Sequence, residues 1–165
     1  MSSEGMDAEQ IKNLVLDFYA NADASAPVSW FLPLIADDFY MWFAPDCELR
    51  GPEGFVEFYR NLTGNLFDRL HVVRDIDVRI GEGKADVTFI IHLTAKRWSA
   101  PMPKALHTEN EAHFHWVMEM SLKTNAPVIT SYRLTAVSFP EGSIIVEANE
   151  TFMDRRFKFG PWSFP

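Results

Sequence analysis

Apolar residues recur at helical spacing in the first part of the chain and at strand spacing in the rest, the change falling near Leu70. Ile11, Leu14, Val15, Phe18 and Ala22 form one helical stripe. Asp7 stands as its N-cap with Gln10 three residues on, and Met6 and Ile11 are spaced as a hydrophobic staple. Tyr19 and Asp23 lie four apart at the edge of that stripe, on a face that can look into a cavity beneath the helix. Pro27 breaks the pattern, and Trp30 to Ala36 reads as a short second helix or turn. Phe39 to Phe43 suits a first strand. Gly51 and Pro52 open a third helix with buried positions Phe55, Phe58, Tyr59 and Leu62, and Gly64 is placed to end it.

Strand periodicity then covers Val72 to Ile80, Ala85 to Trp98, Thr108 to Lys123, Val128 to Phe139 and Ile144 to Met153. The turns between them fall at Gly81 to Gly83, the proline-broken Ser99 to Lys104, Asn125 to Pro127 and Pro140 to Gly142. A fourteen-residue strand spans about 46 Å when extended, well past the usual length, so bulges and strong bending are expected. Helices followed by a bent antiparallel meander define an α+β fold, with the helices capping one face of a strongly curved, cone-like sheet.

The pattern leaves one ambiguity. In Thr108 to Lys123, Phe114, Trp116, Met118 and Met120 share one face, while Glu111, His113, His115, Val117 and Glu119 share the other. Amphipathicity alone turns the rings inward and the histidines out. Ile90 accompanies Thr88, His92 and Thr94 on the neighbouring strand, so both sheet faces carry apolar residues, and a homodimer through the outer face would cover them.

Composition narrows the classes. The 165 residues fit one domain, 1–165, with an aromatic tail at about 154–165. Fourteen Phe and five Trp exceed what a thin sheet needs and favour a ring-lined cavity. A formal charge of −8 argues against nucleic acid as partner, and no Lys/Arg cluster suits an anionic membrane surface. No apolar run reaches membrane-spanning length, and the polar start, Met1 to Gln10, lacks the core of a signal peptide. A cytoplasmic protein is the expectation. Cys47 is the sole cysteine, which leaves neither an internal disulfide nor a cysteine zinc site. His92, His113 and His115 near Glu109, Glu111 and Glu119 show no diagnostic metal spacing, so cross-strand pairing is expected there and no metal or other cofactor is implied.

The order of elements, with the tyrosine of the first helix, the "LIADDF" segment, the "GPEGFVEFY" third helix and the "LHVV" strand opening, resembles the nuclear transport factor 2-like superfamily in its SnoaL-like branch, from about Ile11 to Trp116. The resemblance implies a cone-like α+β barrel around a pocket for a small hydrophobic molecule. Two enzyme types in the superfamily bear on the residues. Set against ketosteroid isomerases, Tyr19 takes the place of the tyrosine that donates to the oxyanion, and Tyr59 that of a second tyrosine in its network. Phe43 stands where those enzymes carry the Asp base, and Ala112 or His113 where they carry the protonated Asp. Set against scytalone dehydratases, "AHFHW" (Ala112 to Trp116) looks like a matching strand, which would turn His113 inward, and His71 matches a pocket histidine. There Asp23 replaces a pocket tyrosine, His113 a pocket asparagine, and the second pocket histidine has no clean counterpart.

Two functions follow as expectations. One is a cofactor-free dehydratase, isomerase or cyclase acting on a small hydrophobic, cyclic substrate, with Tyr19 polarising an oxygen and His71 or Asp23, with His113 if inward, moving a proton. The other is a non-catalytic ligand-binding or dimeric assembly module, in which Tyr19 and Tyr59 only bond to each other in the core. On either, Phe18, Phe43, Phe55, Tyr59, Phe114 and Trp116 line the ligand site, and the tail's Phe157, Phe159, Trp162 and Phe164 fold back to close it or reach a partner.

Overall fold

The computed structural model describes residues 5–44, 47–99 and 104–139. The final expected strand, Ile144 to Met153, and the aromatic tail lie outside the described residues. Helix α1 runs Ala8–Asp23, capped as expected by the Asp7 carboxylate, which accepts from the Glu9 amide at 3.4 Å. Its buried face is Ile11, Val15, Phe18, Tyr19 and Ala22. Ser25 takes a positive φ of 52° to turn the chain before Pro27. One helical turn follows, α2 at Val28–Phe31, and a 3-10 turn at Leu32–Leu34 hands the chain to β1, Ile35–Ala44. β2, Cys47–Arg50, folds back on β1. Helix α3, Gly51–Asn65, places Pro52 in its first turn. Gly54 lets α3 lie against β2, since a Cβ there would stand 3.2 Å from Leu49.

Gly64 does not end α3 as the sequence suggests. The helix continues to Asn65, and Leu66 is already extended (ψ 137°), so α3 passes straight into β3 with no left-handed cap. Four long strands complete the sheet: β3 Leu66–Ile80, β4 Lys84–Ser99, β5 Lys104–Met120 and β6 Pro127–Ser138. The strand order is β2-β1-β6-β5-β4-β3. All neighbours are antiparallel except β1 and β6, which are parallel. That pair corrects the expectation of a wholly antiparallel sheet. No hairpin joins β1 to β6; the whole of β2 to β5 lies between them, so no turn dictates their direction.

The sheet curls without closing, and the bends have identifiable causes. β3 carries an extra residue against β4 at two places, with Asp68 (φ 48°) and Asp75 (φ 55°) in the left-handed region that aspartate tolerates. β6 carries extra residues against β5 at Thr130 and Thr135. Their hydroxyls donate to the carbonyls of Val117 (3.1 Å) and His113 (3.0 Å), satisfying acceptors beside each irregularity.

α1 and α3 lie on one face of the sheet, and the core sits between. Phe18 is its hub, meeting Phe31 and Trp116 edge-on, each with centroids 5.0 Å away. The ambiguity in β5 resolves by amphipathicity: Asn110, Ala112, Phe114, Trp116 and Met118 are buried, while His113 and His115 alternate on the outer face. There the expected cross-strand pairs form, His92 with Glu109 at 2.7 Å and His115 with Asp86 at 2.8 Å. Among the described residues no helix is long and apolar enough to cross a membrane.

Candidate functional site

The curl leaves a cavity of about 70 Å³ between α1, α3 and the concave face. Its wall is almost wholly apolar, with Phe18, Phe43, Phe58, Ile91, Phe114 and Leu134 prominent in it. Tyr19, Tyr59, His71, Asn110 and Tyr132 are the polar residues among its lining.

Asp23 and His71 form the most organised polar group. Asp23 is the last residue of α1 and His71 lies on the first half of β3, two residues past the Asp68 bulge. One Asp23 oxygen takes the His71 backbone amide at 2.9 Å, and the other meets Nδ1 of its ring at 2.5 Å. The carboxylate therefore fixes both the strand and the imidazole, and it holds the proton on Nδ1. Nε2 is left as an acceptor with no partner among the described residues. The His71 side chain is 7 % exposed and lines the cavity.

Next to this pair, the hydroxyls of Tyr19 and Tyr132 are 2.6 Å apart, and the Tyr19 ring lies 5.1 Å from that of His71. Burial pushes both phenols upward, and for Tyr19 the nearness of Tyr132 adds to it, so both are neutral. Two hydroxyls share one mutual bond, which leaves one proton for donation into the cavity.

The end of α1 that carries Asp23 is held from two sides. Arg69, buried on β3, donates to the carbonyls of Leu66 (2.5 Å) and Ala22 (2.7 Å) and to the Ser25 hydroxyl (2.6 Å). Burial lowers its pKa from the usual guanidinium value, and the cation sits where a helix C-terminus favours one. Tyr59 donates its hydroxyl to the Ala26 carbonyl, and burial raises its pKa.

Of the residues singled out from sequence, Tyr19, Asp23 and His71 come together, and Phe18, Phe43, Tyr59 and Phe114 line the cavity. Phe55 and Trp116 are fully buried behind it, packed on Phe18 at 6.1 and 5.0 Å. His113 does not join the site: it is on the outer face, its side chain 45 % exposed beside Glu111 at 3.8 Å. Strand alternation with inward-facing Phe114 and Ala112 forces it there. The tyrosine bond also differs from expectation, since Tyr19 meets Tyr132 and not Tyr59. Tyr132 and Asn110 were missed. Tyr132 lies on the last described strand, where spacing gives no hint of a partner 113 residues away, and Asn110 precedes the ring-bearing alternation that starts at Phe114.

Comparison with known proteins places the fold. No family model matches the chain, and no curated protein does. Solved structures do. A nuclear transport factor 2-like superfamily protein from Salmonella enterica superposes with a TM-score of 0.65 at 16 % identity, over 85 % of this chain and 95 % of that one. The hexachlorocyclohexane dehydrochlorinase LinA-type3 from Novosphingobium barchaimii gives 0.63 at 13 %, over 83 % and 92 %. A candidate scytalone dehydratase from Novosphingobium aromaticivorans gives 0.61 at 12 %, over 79 % and 85 %. The protein has the nuclear transport factor 2-like, cystatin-like fold. Such likeness fixes architecture, and the same architecture carries unlike functions.

Proposed function

We propose that the protein is a cofactor-independent lyase of the dehydratase type, acting on a small, mostly apolar ring that carries a carbonyl and a β-hydroxyl. The observation that carries this reading is the Asp23–His71 pair at a polar point of an otherwise apolar cavity. Two structural neighbours are named for eliminations, a dehydratase and a dehydrochlorinase, which supports the reaction class without fixing it.

In this reading His71 Nε2 takes the proton from the carbon next to the carbonyl. The C–H electron pair becomes the new C=C bond as the C–O bond to the β-hydroxyl breaks. The departing oxygen leaves as water with a proton from the Tyr19–Tyr132 pair. The proton held on His71 then replaces the one given by the phenol, carried by that water or by solvent. Asp23 keeps the imidazole in the required tautomer and stabilises its cation. Phe43 supports elimination over a ketosteroid-type shift, because it puts a ring into the cavity wall where that isomerase carries its base.

The test is dehydration of 3-hydroxycyclohexanone, followed by the absorbance of the enone. His71→Ala should lower the rate by about 10²–10⁴-fold with the fold intact, and Asp23→Asn should lower it strongly as well. Both variants working like the parent would defeat the proposal.

A second reading, a ligand-binding module without chemistry, is favoured by one observation. A cavity of about 70 Å³ is far below the roughly 300–1,000 Å³ of ordinary ligand pockets. On either reading the protein acts as a homodimer through the outer face. Exposed Leu70 and Val72 on β3 and half-buried Ile90 on β4 supply apolar surface there.

A further inference from the structure

Asn110 is a puzzle as a core residue. It is 3 % exposed on the concave side of β5, lines the cavity, and its amide makes no hydrogen bond to any described residue. Leu93 stands opposite it on β4, and Leu66, Leu134 and Val137 line the same cavity. A buried amide without a partner is unfavourable, and asparagine is a poor strand residue; leucine would serve a purely structural role better.

The sheet register gives Asn110 a position with meaning. His71 on β3 stands opposite Leu93 on β4, and Leu93 stands opposite Asn110 on β5. The three residues form one row across the concave face, with His71 and Asn110 at its ends. Adjacent strands lie about 4.8 Å apart, so the two backbones stand about 10 Å apart, and the curl brings the side-chain tips closer. A six-membered ring laid on Leu93 would have His71 at one end and Asn110 at the other. Its polar atom would meet an amide that both donates and accepts, while the opposite side of the ring meets Nε2 of His71.

We propose that Asn110 is the specificity-determining residue of the cavity: it takes the oxygen of an oxygenated ring, a carbonyl or hydroxyl, and so selects such rings over bare or halogenated hydrocarbons. This deepens the dehydratase reading, which requires the same cavity to be a ligand site, but it concerns recognition and stands apart from proton transfer. A site built to bond an oxygen discriminates against analogues that lack it, because the amide is then left unpaired.

The experiment measures the affinities of cyclohexanone and cyclohexane for the parent protein and for Asn110→Leu by NMR titration, together with the side-chain amide signal of Asn110. The substitution should weaken cyclohexanone about tenfold and leave cyclohexane unchanged or bound more tightly, a net hydrogen bond's share of affinity. In the parent, cyclohexanone should move the Asn110 amide resonance and cyclohexane should not. The amide signal tests the proposal even if Asn110→Leu fails to fold. Equal effects of the substitution on both ligands, an unmoved amide, or no binding of the ketone would each overturn it. His71→Ala separates the two readings: it abolishes dehydration where that reading holds, while cyclohexanone still moves the Asn110 amide signal, so lost turnover with retained recognition, or the converse, is visible.

Discussion

At the scale of single residues, the buried phenols make a prediction about alkaline pH. Tyr19 and Tyr132 are held neutral in the folded chain by burial, to which Tyr132 adds for Tyr19, whereas unfolded phenols ionise near pH 10. Above that pH the unfolded chain binds fewer protons than the folded one, so stability falls as pH rises; below it the contribution is complete. Burial also pushes the Cys47 thiol up to about 12, which acts in the same direction from about pH 9. Urea unfolding at pH 8, 10 and 11 should show the parent losing stability, and a Tyr19→Phe, Tyr132→Phe double variant losing less of it. Parallel losses would mean that the phenols are not buried as a neutral pair. Residues of this kind divide by how local their signal is. Tyr19 and Asp23 were legible because helical spacing put both on one edge of α1, and His71 because a strand begins around it. Tyr132 and Asn110 were not, since their places at the cavity follow from pairing with remote strands, and His113 stays ambiguous because alternation offers two faces without saying which meets the helices.

At the scale of elements, the catalytic reading depends on where α1 stops. Arg69 joins β3 to the end of α1 through the Ala22 carbonyl and the Ser25 hydroxyl, one residue after the Asp68 bulge turns it inward. Arg69→Met would leave those acceptors poorly satisfied in a buried place. It should cost about 2–4 kcal/mol in urea unfolding and loosen Asp23, so that dehydration falls too. Stability unchanged within 0.5 kcal/mol, roughly the spread for featureless surface sites, would show that the end of α1 is held otherwise. The sequence made the helices readable through Asp7 and Pro52, whose signals are local. Gly64 misleads because a glycine ends a helix only if it adopts positive φ, and here the helix needs no turn before β3. The bulges were expected from strand length, but their places at Asp68, Asp75, Thr130 and Thr135 depend on pairing, which one strand's sequence does not carry.

At the scale of the whole molecule, the change from helical to strand period near Leu70 was enough to give the α+β class and the helices over one face, and only the parallel β1–β6 pair departed from it. The outer face is both charged and apolar: Arg74 bonds Glu111 at 2.7 Å beside exposed Val72 and half-buried Ile90. A homodimer across it should bury on the order of 1,600 Å² in total, and light scattering at micromolar concentration should give twice the chain mass; a monomer would refute it. What unites fold and chemistry is that the curled sheet delivers His71 to the end of α1, where Asp23 sets its tautomer. The most direct test of that claim is exchange of the α-hydrogens of cyclohexanone in heavy water, followed by proton NMR, since it needs only a base and no leaving group. The parent protein should speed exchange and His71→Ala should lose about 10²-fold or more of that effect. Equal exchange by the two proteins, or none by the parent while the ketone is bound, would contradict the assignment of His71 as the base.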